Sequence, residues 1–66
     1  MGEEELHARF LAASRAFLRD PSEAALEILL ARYSLYFVAV HGSEAGLDLI
    51  LARIEANCRN IMMGLP

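Results

Sequence analysis

The sequence predicts an all-α fold, on three observations. Alanine and leucine supply eleven residues each, while Val, Ile and Thr together supply six, a balance that favours helix over strand. Apolar residues recur three and four positions apart along most of the chain, which is the period of one helix face. Two clusters of stop and start residues, Asp20-Pro21-Ser22-Glu23 and His41-Gly42-Ser43, cut the chain into three segments of helical length. Helices are therefore expected near 3–19, 21–41 and 44–63, joined by short turns as an up-down-up three-helix chain that forms one small domain over 1–66.

The first helix opens on Glu3-Glu4-Glu5, whose carboxylates suit the positive end of a helix dipole. Leu6, Phe10, Ala13 and Phe17 fall on one face, widened by Leu11 and Leu18, with Glu5, Arg9 and Arg19 opposite. For the second helix, Asp20 is expected to cap, Pro21 to take the first helical position, where its missing N–H costs nothing, and Glu23 to reach back to the cap. Gly42 can adopt the left-handed conformation that ends this helix, and Ser43 is expected to cap the third. That third helix reads Leu47, Leu51, Ile54, Cys58, Ile61, a heptad seam flanked by Ile50 and Met62, with Asp48, Glu55 and Arg59 outside it and Gly64 as its stop.

The middle helix is of another kind. From Ile28 to Val40 only Arg32 and Ser34 are plainly polar, and its polar stripe of Glu23, Glu27, Ser34 and His41 is narrow. A helix apolar on nearly every side must be surrounded. Yet a domain this small buries only about 60% of the surface its unfolded chain exposes. Cys58 is the only cysteine, so no disulfide forms within the chain, and His7, His41 and Cys58 are too few and too scattered for a structural zinc. No metal or cofactor is expected. Apolar residues and glycine make up 39 of the 66, about 59% against a usual 45–50%.

Two neighbouring helices cover two sides of the middle one and leave Tyr33 to Val40 partly bare. Packing that helix on its own symmetry mate covers the rest, and most homo-oligomers are two-fold dimers. The expected assembly is a helical-bundle homodimer with Arg32, Tyr33, Tyr36, Phe37 and Val40 at its interface, since arginine and aromatic side chains anchor interfaces.

Nine acidic residues against six arginines leave a formal charge of −3, which counts against a binder of phosphate backbones. Arg53, Asn57 and Asn60 form a possible recognition row on one flank of the third helix, but without basic residues around it. No Ser-His-Asp order, Gly-rich phosphate loop or close carboxylate pair is present, so an enzyme is not expected. The acidic start Met1-Gly2-Glu3-Glu4-Glu5 is unlike a secretory leader, and the apolar run of thirteen residues is shorter than the roughly 20 that span a bilayer. The reading is a small cytoplasmic protein-interaction module without a membrane span, which regulates or escorts a partner protein as an anti-activator, adaptor or assembly chaperone does. The alternatives are a nucleic-acid-binding regulator presenting a helix face from a dimer, and an accessory subunit of a larger enzyme.

Overall fold

A computed structural model describes residues 2–64 and contains three helices, α1 (Glu3–Arg19), α2 (Glu23–His41) and α3 (Leu47–Met62). There is no strand among the described residues. The helices lie where composition and punctuation place them, but two of the three starts differ from expectation.

Helix α2 begins at Glu23, not Pro21. Its cap is Ser22, whose Oγ accepts the Ala25 backbone N–H at 3.1 Å, so Glu23 occupies the first position of the helix and cannot close a capping box. Asp20 instead ends α1, its N–H donating to the Ala16 carbonyl at 3.1 Å. The Asp20 backbone, at φ −146°, ψ 78°, is taken up in closing α1, and Ser22, extended at φ −156°, ψ 163°, is left to take the cap.

Helix α3 begins three residues later than expected, at Leu47. Ser43 Oγ accepts the Ala45 N–H at 3.4 Å within the loop, so the hydroxyl shapes a turn and caps no helix. The turn closes at Gly46, whose φ of 83° is open to glycine at little cost and strained for other residues. At the other side of this loop Gly42 adopts the expected left-handed conformation, and its N–H donates to Val38 O at 2.8 Å.

Helix α2 is the middle of the molecule. It packs against α1 on one flank and α3 on another, while no Cα of α1 comes within 8 Å of a Cα of α3. The side chains of all three nevertheless meet, because Ala13 and Phe17 of α1, Leu26 and Leu29 of α2 and Cys58 of α3 form one buried cluster. Phe17 and Leu26 are its deepest members, each 1% exposed. No polar or charged side chain is buried among the described residues. The α3 seam is buried at Leu47 and Cys58, half-buried at Leu51 and Ile54, and exposed at Ile61.

Two further contacts tie the helices together. Arg59 in the last turn of α3 donates twice to the Glu23 carboxylate in the first turn of α2, at 2.8 and 3.1 Å, and lies 3.8 Å from Glu55 on its own helix. From α1, His7 stacks on Tyr36 with ring centroids 4.9 Å apart, and Phe10 meets Tyr33 edge-on at 5.0 Å. Tyr33 continues to Phe37, and Phe37 to His41 at 4.2 Å, so six rings form an unbroken ladder between the two helices.

Candidate functional site: the outward face of α2

Because α1 and α3 flank α2, one sector of the middle helix stays open. Sequence spacing identifies what lies there. Ala24, Ile28, Ala31, Leu35 and Val38 follow one another at intervals of four, three, four and three, and all five are exposed. Ile28 is 51% exposed, Leu35 56% and Val38 37%, whereas Leu26 and Leu29 on the inner side are 1% and 4%. Ala39 widens the stripe at its C-terminal end.

Charged groups border this stripe on both edges. Glu27 lies along one edge and Arg32 along the other. On the Arg32 side the stripe opens into a shallow groove between α1 and α2, lined by Arg9, Ala12, Ala13, Ile28 and Arg32. Arg9 is only loosely held, 3.9 Å from Glu5, and neither Arg32 nor Glu27 has an ion-pair partner among the described residues. Arg32 is half-buried, so its stem covers apolar surface while its head is free to bond.

The face left bare overlaps the expected one only in part. Of the anticipated interface residues, Phe37 is buried within the chain and Tyr33 and Tyr36 are half-buried in the aromatic ladder. Arg32 and Val40 keep exposed surface, Val40 at 40%. The physical reason is α1: His7 and Phe10 cover the tyrosine side of α2 and turn the opposite side outward. Sequence reasoning missed Ile28, Leu35 and Val38 as site residues, although the 4-3-4-3 spacing that marks α3 also runs through them, and it missed Glu27 on their edge.

Elsewhere the surface offers little chemistry. Arg53, Asn57 and Asn60 are all exposed, as a solvated row on α3 is, and Arg59 beside them is engaged by carboxylates. The guanidinium of Arg59 holds the Glu23 carboxyl below its usual range, first by the hydrogen bonds and then by charge. Burial alone pushes the Cys58 thiol up, which keeps it protonated and unreactive. No three His, Cys, Asp or Glu side chains converge as a metal site among the described residues.

Length and composition alone make α2, at 19 residues, apolar enough to cross a membrane, a property shared by membrane spans and the core helices of soluble proteins. The helix that forms is longer than the thirteen-residue run within it. No protein-family model matches the chain, and neither characterised proteins nor solved structures give a significant match.

Proposed function

We propose that this chain is a cytoplasmic protein-interaction module, an up-down-up three-helix unit that works by docking the outward face of α2 and so regulates or escorts what it binds. The observation that carries the reading is the exposed 4-3-4-3 stripe of Ala24, Ile28, Ala31, Leu35 and Val38. Water-exposed apolar surface in that register fits a facing helix, with the small Ala24 and Ala31 side chains allowing close approach. The pairing of α3's last turn with α2's first, and of His7 with Tyr36, supports the up-down-up order.

A lipid environment fits the same face less well. Arg32 stands at the midpoint of α2, where an arginine in a bilayer costs about 2.5–3.5 kcal/mol on insertion scales. At a protein interface the same guanidinium is an asset, because a carboxylate can meet it. Nucleic acid is favoured less still, since Arg59 and Arg9 lie beside carboxylates of the chain itself.

The test is a photo-crosslinking residue placed at Leu35 in living cells. Adducts that migrate as protein, whether with a second copy or another chain, are expected. Adducts confined to lipid, or none at Leu35 while the same probe at Asn57 captures nucleic acid, would overturn the reading.

A further inference from the structure

We infer that the occupant of the α2 face is a second copy of this chain, packed parallel and in register, so that Glu27 of each copy meets Arg32 of the other. This rests on the docking role proposed above and specifies the partner. In heptad terms Ile28 and Leu35 take the a positions and Ala24, Ala31 and Val38 the d positions. Glu27 then occupies g, immediately before the first a, and Arg32 occupies e, immediately after the central d. Two parallel helices bring g of one beside e of the other, five residues on, so the pair forms twice, once on each side of the seam.

Three features favour this arrangement over others. Glu27 and Arg32 lie on opposite edges of one helix and have no ion-pair partner in their own chain among the described residues, so a mate supplies what each lacks. The Arg32 edge also carries Arg9 across the groove, giving an arriving Glu27 carboxylate two guanidinium groups. An antiparallel pair, by contrast, sets e against e, placing Arg32 opposite Arg32 near the middle of the seam, where like charges repel. The seam ends naturally at Gly42, which terminates α2 at the next a position. With three large apolar residues per copy, the seam is small beside standard interfaces of about 800 Å² per partner, so micromolar association is expected.

Charge exchange with sedimentation equilibrium tests this. Glu27→Arg alone and Arg32→Glu alone should each weaken self-association about tenfold, because each replaces two attractive pairs with two repulsive ones. The Glu27→Arg/Arg32→Glu double variant should associate more tightly than either single variant, yet short of the original chain because Arg9 still borders the exchanged edge. Circular dichroism checks that every variant stays helical. Orientation is read separately, from Leu35→Cys in a Cys58→Ala background. Parallel in-register copies oxidise quickly to a 35–35 disulfide, whereas an antiparallel pair packs a against d, sets position 35 beside position 31, and does so slowly.

Loss of association in both single variants with no recovery in the double would overturn the proposal, as would fast cross-linking only in a mixture of Leu35→Cys and Ala31→Cys chains. A chain that is monomeric up to millimolar concentration, yet crosslinks through Leu35 to a different protein, would also overturn it while leaving the docking role standing. Flotation with lipid vesicles regardless of these substitutions would remove both.

Discussion

The two faces of α2 are nearly equal in apolar character and opposite in fate. The inner face, centred on Leu26, Leu29 and Phe37, is covered by α1 and α3. The outer face, centred on Ile28, Leu35 and Val38, is open. The difference shows that one helix can carry a covered apolar surface and an open one back to back. The first is satisfied within the chain, and the second displays apolar side chains in a register that a neighbouring helix can read.

That contrast is broken most severely from the inside. Phe17→Ala or Leu26→Ala removes a side chain with 1% exposure and should cost about 3–5 kcal/mol, comparable to the whole stability of a domain this size. Thermal denaturation should therefore find either variant largely unfolded at room temperature. From the outside, Leu35→Glu should leave helicity and unfolding of the monomer nearly unchanged, because the side chain is already 56% exposed. The same substitution should lower self-association at least a hundredfold by gel filtration at matched concentration, since it buries a charge in an apolar seam. A Leu35→Glu chain that unfolds like Leu26→Ala would show that the two faces are one cooperative surface.

Smaller effects sharpen the distinction. Ser22→Ala should cost about 1 kcal/mol, and Asp20→Ala should fall within about 0.5 kcal/mol of no change, because the hydroxyl of Ser22 and not the Asp20 carboxylate caps α2. Denaturant midpoints of the two variants test the order. The buried Cys58 thiol should make stability fall as the solution turns alkaline. Its folded pKa is raised, so the unfolded thiol, near 8.5, ionises first and favours unfolding above that pH, while below it the contribution is intact. Unfolding midpoints from neutral to alkaline pH, compared with Cys58→Ala, measure this small decline.

How far the sequence reveals this molecule follows from where its periodicity is informative. Helices α1 and α3 are amphipathic, and Phe17 and Cys58 lie on the faces that the spacing predicts as inner. In α2 the spacing loses meaning, because a helix apolar all round has several stripes that satisfy the same rule. The side of α2 on which Tyr36 lies is decided by His7 and Phe10, residues nearly thirty positions away. The helix starts fail for a local reason: Asp20 and Ser22 are both good caps by residue type, and the Asp20 backbone is taken up by the last turn of α1. The Arg59–Glu23 pair lies beyond sequence reading as well, because Glu55 is an equally good partner by spacing until α3 is docked.

The aromatic ladder decides how this protein is seen by light. The chain has no tryptophan, and its two tyrosines both stand between α1 and α2. Helix α3 carries no aromatic ring at all. Tyrosine emission and the near-ultraviolet dichroic signal therefore report the closing of α1 on α2, and the arrival of α3 adds no chromophore of its own. If α3 detaches first, tyrosine emission and far-ultraviolet ellipticity will give different melting curves for the same sample. The gap between those curves will measure how independently the third helix comes and goes.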